Sequence, residues 1–413
     1  MNSVSEGLNR REFLSTAAAT TAFAASGRRI LGANDRIRLG VIGSGSRATA
    51  LSRQLNQIGG IEWVAVSDAW KTRCLQWEEA VGTKVEQYPD YRSLLERADI
   101  DGVLIATFDH THAQITVDAC RAGKDVYLEK PMTSLPEQGL EVIKTVRETR
   151  RVVQVGMQQR SIPYFTEAKE RFIDSGRLGA VHMVRTIWNR NTGYLVKVPP
   201  GMERKPDDLD WKACLAWLPT IPWDPKRYFN RFAYWDFSTG GMTGGLFVHL
   251  VDVVHWYLGL HRSDVASALG GLYHHRDGRD TPDNINVIVR YPEGVNITFE
   301  GSLTDNGGHE TVDIVFNGTG GRLSIFRSGY TFTGPPENGK SEVIQKYGPY
   351  GDALEHLQEW LECMRTRRNP NTDVVEGHYS AMACHVANIS YREGRTVAWD
   401  PAWDAEPLGG IRS

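Results

Sequence analysis

IRLGVIGSGSRATALSRQL occupies residues 37–55. Ile37 to Ile42 form an apolar run of strand length, and after a glycine turn the pattern becomes helical, with Ala48, Leu51 and Leu55 on one face. The turn, Gly43-Ser44-Gly45-Ser46-Arg47-Ala48, has the form GxGxxA. Gly43 permits the tight turn, Gly45 lets a pyrophosphate approach the backbone, and Ala48 lets the helix pack closely while its first amides stay available to phosphate. Glycine loops are common, so the motif gains weight only from its neighbours. The next apolar run, IEWVAVSDAW, carries Asp68, 25 residues after Gly43. A carboxylate there accepts hydrogen bonds from the adenosine ribose hydroxyls and repels a 2′-phosphate. NAD is therefore favoured over NADP, although Arg47, Lys71 and Arg73 could neutralise such a phosphate.

Two more strand patterns follow, GVLIAT (Gly102 to Thr107) and DVYLEKP (Asp125 to Pro131), with a helical run from about Ala113 to Ala122 between them. Strands alternating with helices predict a parallel, doubly wound sheet whose ligand lies at the strands' carboxyl ends. Ser46, Arg47, Thr107, His112 and Glu129 border that edge beside Gly43, Gly45 and Asp68. Lys130 lies there too. Immediately before Pro131, whose ring fixes the backbone, it can present a cation to a developing alkoxide.

The segments GSGSRA, VSDAW, IATFDHTHA and LEKP, in that order, give the chain a resemblance to the Gfo/Idh/MocA oxidoreductases from about Ile37 to Pro401. The resemblance implies a Rossmann domain followed by an α/β domain with a large open, mostly antiparallel sheet. It also implies that Lys130 lies near the nicotinamide and hydrogen-bonds the reacting hydroxyl or carbonyl. The expected domains are 34–155 for the cofactor and 156–401 for the substrate, with the final helices packing back near the first.

GGMTGGLFVHLVDVVHWYLG, residues 240–259, carries the second group of chemistry-bearing residues. A nearly continuous apolar helix interrupted by His249, Asp252 and His255 must satisfy those groups by hydrogen bonds or a ligand. His249 and Asp252 share a face; His255 is turned too far away for the two histidines to converge on one metal, so no metal site is expected. Under the family resemblance His249 is the general base or acid at the substrate carbon, and Asp252 either joins the site or anchors helix packing. Many family members have an aspartate four residues before this histidine; here it is Gly245. Asp236 is the candidate to replace it, or else the proton-transfer scheme differs.

Other positions are read with open alternatives. Gln158 and Arg160 either hydrogen-bond sugar hydroxyls or lie on the surface. His112 either holds the cofactor loop or touches substrate, and His110 reads as structural. The aromatic stretch between Asn189 and Trp235, with Trp211, Trp223, Tyr228 and Phe232 among its rings, either lines a carbohydrate cleft or anchors a long loop. Residues 267–334 hold several β-rich runs separated by glycine-bearing turns, a meander that could also pair face to face as a homo-oligomer.

NRREFLS at residues 9–15, followed by the weakly apolar STAAATTAFAA, has the layout of a twin-arginine export signal within residues 1–33. The run is far short of the roughly 20 residues that span a bilayer. A periplasmic or otherwise exported protein, handed to the twin-arginine machinery and not stably inserted in the membrane, is the expectation. The whole chain of 413 residues has 47 basic and 50 acidic residues and no single-sign block, so it lacks the electrostatic footprint of a nucleic-acid binder. Five scattered cysteines without a CxxC pair suggest neither a disulfide framework nor a zinc site.

Three functions fit. One is an NAD(P)-dependent oxidoreductase acting on a sugar, cyclitol or derivative. The second is a redox-neutral glycosidase or lyase in which NAD oxidises a ring carbon transiently. The third is a non-catalytic sugar-binding protein, against which Gly43, Gly45, Asp68 and Lys130 argue together. Free nicotinamide cofactor is scarce outside the cytoplasm, so an exported enzyme needs its cofactor tightly held.

Overall fold

Fully buried short runs dominate the first half. In the computed structural model, which describes residues 36–191, 197–305 and 311–405, Gly102–Ile105 and Asp125–Leu128 are buried along their whole length. Strands covered on both faces suit a parallel sheet between helical layers. Six strands, β1 (Ile37–Ile42), β2 (Ile61–Ser67), β3 (Glu86–Tyr88), β4 (Gly102–Ile105), β5 (Asp125–Leu128) and β6 (Val153–Val155), lie in the order β3-β2-β1-β4-β5-β6, with β3 the exposed edge. All their pairings are parallel. This is the doubly wound order, with its switch point between β1 and β4, where the glycine turn lies.

The second half alternates instead. Asn284–Tyr291 reads NINVIVRY with every second residue buried, the pattern of a sheet with one face packed and one solvated. Strands β7 (Val181–Asn189), β8 (Val265–Gly271), β9 (Asn284–Tyr291), β10 (Val295–Ser302), β11 (Thr311–Gly318), β12 (Gly321–Phe326), β13 (Gly329–Glu337), β14 (Lys340–Tyr347) and β15 (Val397–Ala398) form one sheet, ordered β14-β13-β12-β11-β7-β10-β9-β8-β15. Only the β7–β10 pairing is parallel. The architecture is thus a Rossmann-type parallel sheet followed by a domain with a large, mostly antiparallel sheet.

Helices join the halves. The helix Leu354–Thr366 leaves the second sheet and buries Leu357, Trp360 and Leu361 in one cluster with Ile37, Leu39 and Leu51. The helix Val374–Glu393 starts at Asp373, whose carboxylate accepts from the Val375 and Glu376 amides, and ends at Gly394 with φ of 63°. It is buried along most of its length, and the core runs without a break from Val103 and Leu128 of the first sheet to Val289 and Phe299 of the second. The twin-arginine segment lies outside the described residues. Among the described residues no helix is long and apolar enough to cross a membrane.

Candidate active site

Gly43 has φ of 81°, and a Cβ there would come within 2.6 Å of the Thr107 methyl and 2.9 Å of the Ala106 carbonyl oxygen. Gly45 faces open space, so the backbone can meet a large ligand. The helix Ser46–Ile58 that it caps has no side-chain cap and no acid in its first turn, which leaves its amides and positive dipole end for an anion. Beyond β2, the Asp68 carboxylate accepts from the Ser44 amide at 2.8 Å, the Ser44 hydroxyl at 3.1 Å and the Trp70 amide at 2.9 Å. Burial pushes its pKa up, against those hydrogen bonds, which pull it down. Asp68 opens onto a cavity of about 870 Å³ shared with Lys71, Tyr88, Asp208 and Trp211. A dinucleotide fits this set: glycine turn and free amides for the pyrophosphate, carboxylate and cavity for the adenosine.

The far wall of that cavity comes from the second domain. The Asp208 carboxylate accepts from the Trp70 indole at 2.9 Å and the Thr72 hydroxyl at 2.6 Å, while the Asp210 amide donates to the Ala69 carbonyl at 2.8 Å. Trp211, Trp223, Tyr228 and Phe229 pack around Trp70 and Phe108. Most of the aromatic stretch therefore packs down beside Asp68, in keeping with the loop-anchor alternative of its reading and not with the carbohydrate wall.

At the other end of the cleft, the Glu129 carboxylate accepts from Arg47 Nε at 2.6 Å. Arg47 is thereby engaged away from Asp68, which removes one of the three cations considered as partners for a 2′-phosphate. Lys130 Nζ donates to the Gly245 carbonyl at 2.7 Å and lies 5.8 Å from the centre of the Phe232 ring. Burial lowers its pKa to about 8, with Glu129 and Asp109 opposing. Gly245 belongs to a π-helical turn, Thr243–Phe247, leading into the helix Val248–Leu258. Such turns widen the helix and recur at functional sites. A Cβ at Gly245 would stand 3.1 Å from the Phe232 ring. Phe232 thus lies beside the point from which the family's aspartate would project.

His249 is buried, makes no hydrogen bond among the described residues, and has its Nδ1 sealed from solvent. Nε2 is then the nitrogen that can meet a substrate hydroxyl. Burial, then Lys130, Arg327, Arg47 and His356, hold its pKa well below the usual imidazole range, so it is neutral near pH 7 and able to accept a proton.

Several candidates have other duties. Asp252 is wholly buried in a two-pronged ion pair with Arg160, at 2.9 and 2.8 Å, and accepts from the Ser380 hydroxyl at 2.9 Å. Arg160 also reaches Glu376 at 3.1 Å. Neither is free for a proton transfer or a sugar, so the catalytic reading of Asp252 and the substrate reading of Arg160 are corrected to a buried anchor. Asp236 pairs with Arg227, not with His249, and does not replace the missing aspartate. His112 Nδ1 lies 2.8 Å from the Pro131 carbonyl and Nε2 3.3 Å from the Thr107 carbonyl; with burial lowering its pKa the neutral ring donates to one of them and ties the loop after β4 to the Lys130-Pro131 segment. His110 binds the Cys214 carbonyl at 2.9 Å and His255 the Tyr291 hydroxyl at 2.6 Å. Gln158 is buried, with its side-chain carbonyl lacking a protein partner. No group of three His, Cys, Asp or Glu side chains is placed to hold a metal among the described residues.

Trp188 and Arg327 carry no site role in the sequence reading, and Phe232 enters it only as one ring of the aromatic stretch. Arg327 sits in SIFRSGY, which reads as an ordinary hairpin, and only the approach of β7 brings Trp188 beneath it. Asp68→Ala is expected to weaken NAD binding by about 1–3 kcal/mol through loss of a charge-assisted hydrogen bond. Calorimetry on protein stripped of nucleotide checks this, and unchanged affinity would remove Asp68 from the cofactor site.

The two sheets and the glycine turn define a two-domain protein built around a dinucleotide-binding Rossmann fold. Residues 37–157 match the oxidoreductase family, NAD-binding Rossmann fold, and residues 170–405 its C-terminal alpha/beta domain. The chain belongs to the Gfo/Idh/MocA oxidoreductase family. It is 36% identical over 166 residues to inositol 2-dehydrogenase 2 of Saccharopolyspora erythraea, covering 40% of this chain and 48% of that protein. It is 33% identical over 153 residues to inositol 2-dehydrogenase of Klebsiella pneumoniae subsp. pneumoniae, covering 36% of this chain and 44% of that protein. The chain therefore spans about half the length of these curated relatives. Levoglucosan dehydrogenase in complex with NADH and levoglucosan matches with a TM-score of 0.71 at 16% identity, over 88% of this chain and 99% of that one. An oxidoreductase from Agrobacterium radiobacter in complex with NAD+, L-tartaric acid and magnesium matches with a TM-score of 0.69 at 16% identity, over 88% and 98%. The structural likenesses establish a shared fold.

Proposed function

We propose that this protein is an exported, NAD(P)-dependent dehydrogenase that oxidises a CH–OH group of a sugar, cyclitol or sugar derivative and keeps its cofactor through repeated turnovers. The observation that carries the reading is Lys130: a desolvated ammonium at the carboxyl end of β5, beside the glycine turn and the neutral imidazole of His249. The inositol 2-dehydrogenases and levoglucosan dehydrogenase to which the chain is similar support a polyol substrate. Bound NAD supplies the hydride acceptor. Lys130 exchanges its bond to the Gly245 carbonyl for one to the substrate oxygen and stabilises the negative charge that grows there. His249 takes the hydroxyl proton and the substrate leaves as a carbonyl compound; repeated turnover then requires a second, carbonyl-bearing substrate that accepts the hydride and the proton and leaves as the reduced co-product.

Tight retention is supported by the second-domain wall of the adenosine cavity. Opening that cavity requires Asp208 to leave Trp70 and Thr72 and the Asp210 backbone to leave Ala69. A redox-neutral route, in which oxidation acidifies the neighbouring C–H for elimination before the ring carbon is reduced again, is favoured by one observation: among the described residues His249 has no carboxylate hydrogen-bonded to it.

Purified protein is expected to release near-stoichiometric NAD on denaturation and to turn over without a matching supply of free NAD. Incubation with polyols and glycosides in deuterated water separates the routes. A ketone and a reduced co-product without exchange indicate dehydrogenation, and solvent deuterium beside the oxidised carbon indicates elimination. Protein that purifies empty and consumes added NAD one for one with product contradicts the retained cofactor.

A further inference from the structure

Around His249 the charges have one sign. Apart from burial, the groups acting most strongly on its imidazole are Lys130, Arg327, Arg47 and His356. Among the described residues, Glu129 is engaged by Arg47, Asp252 by Arg160 and Asp236 by Arg227, while Asp109 accepts from the Thr239 amide and lies 3.8 Å from Arg231. Position 245 offers only a backbone carbonyl. Among the described residues, then, no carboxylate is among the groups acting most strongly on His249, while Glu129 and Asp109 act on Lys130.

Arg327, in the turn between β12 and β13, has the least accounted-for cation of the set. Its guanidinium lies 5.7 Å from the Trp188 ring centre and 5.4 Å from that of Tyr350. Its side chain makes no hydrogen bond or ion pair among the described residues, and its Nε is buried without a partner. The imidazole of His249 lies 6.1 Å from the same Trp188 ring, so one indole carries both the arginine and the proton acceptor. The turn is held in place: the Gly351 amide donates to the Arg327 carbonyl at 2.9 Å and the Gly348 amide to the Ser328 carbonyl at 2.8 Å. A half-buried guanidinium held beside these groups, with its Nε buried and without a partner among the described residues, is placed to take an acceptor from a ligand. A planar carboxylate matches the guanidinium fork with two parallel hydrogen bonds.

We propose that the substrate is a sugar acid, a uronate or an aldonate, whose carboxylate pairs with Arg327 over Trp188 while one of its hydroxyls reaches Lys130 and His249. The proposal rests on the dehydrogenase reading of this cleft and narrows its substrate class. It also accounts for Gly245. A bound carboxylate supplies the negative charge that other family members place in their own chain, so His249 gains proton affinity when the substrate that needs it arrives.

The test uses the full-length, NAD-loaded protein and titration calorimetry with matched pairs: D-glucuronate and D-glucose, D-galacturonate and D-galactose, D-gluconate and D-glucitol, with D-glucose 6-phosphate as a second anion. At least one acid is expected to bind 30-fold or more tightly than its neutral partner. In Arg327→Gln that ratio falls to within threefold of unity, with melting temperature and NAD content showing that the variant is folded. Arg327→Lys, which keeps the charge, retains a ratio of at least five. The proposal is overturned if no acid outbinds its neutral partner, if R327Q keeps the preference, or if the phosphate outbinds every carboxylate. NADH formation followed with the same compounds separates the two claims. Acid preference without hydride transfer removes the dehydrogenase reading and leaves acid recognition standing, whereas NADH from neutral sugars with no acid preference does the reverse.

Discussion

Lys130→Met is expected to lower kcat about 10²–10³-fold while the protein keeps its NAD, because the lost cation acts on charge that develops in the transition state and not on the dinucleotide. Methionine preserves the length and apolar body of the side chain. Among the described residues the Lys130 ammonium donates only to the Gly245 carbonyl, so the substitution leaves one carbonyl to be hydrated and disturbs little else. The pH profile should carry the same signature. Burial brings the Lys130 pKa down to about 8, so the cation is present below that value and is lost as pH rises through it. Rates of CH–OH oxidation should then fall above about pH 8 in the native enzyme, and that limb should vanish in K130M. His249, held well below the usual imidazole range, should contribute no limb between about pH 6 and 7. His249→Ala is expected to lose about 10²-fold in turnover with NAD retained. Stopped-flow hydride transfer and nucleotide content measured on the same preparations decide the matter. Near-native turnover in both variants would move the chemistry out of this cleft.

The cofactor half of the site was legible in the sequence because its parts are local. The glycine turn, Asp68 and Lys130 each follow directly on an apolar strand, and a parallel sheet aligns such strand ends along one edge without any further information. What escaped the reading depends on approach across long stretches of chain. Arg160 meets Asp252, 92 residues away, and Glu376, 216 residues away. From the sequence alone, a polar QQR loop and an HxxD helix look like two sources of substrate contacts, whereas folding spends them on each other. Gly245 was visible as a missing aspartate, but not that Phe232 packs over it, since a ring in an aperiodic loop carries no sign of where it will land. Arg327 was hidden for the same reason. Of the two readings of the aromatic loop the anchor is the one realised, but the partners, Trp70 and Phe108, could not be read from the sequence because they lie more than 100 residues away.

Arg160→Met is expected to destabilise the fold by about 3–5 kcal/mol, because it leaves the wholly buried Asp252 charged and without its partner. The effect should reach the chemistry as well. Asp252 lies one turn beyond His249 on the helix Val248–Leu258, and its contacts bind that helix to the 158–161 turn through Arg160 and to the helix Val374–Glu393 through Ser380. Removing the arginine loosens the seat of the imidazole while leaving the glycine turn and Asp68 untouched, so kcat should fall more than NAD affinity. Asp252→Asn, which keeps the shape and removes the charge, strands the arginine instead, although Glu376 still faces it and softens the loss. The double variant R160M/D252L removes both charges and should recover most of the stability, since an apolar pair of similar volume often matches a buried ion pair. Urea denaturation of R160M, D252L and the double variant gives the coupling directly, with D252N as the shape-preserving control. A denaturation midpoint for R160M equal to that of the native protein would mean that Asp252 is neutral in the folded state, and the anchor would then be a set of hydrogen bonds and not an ion pair.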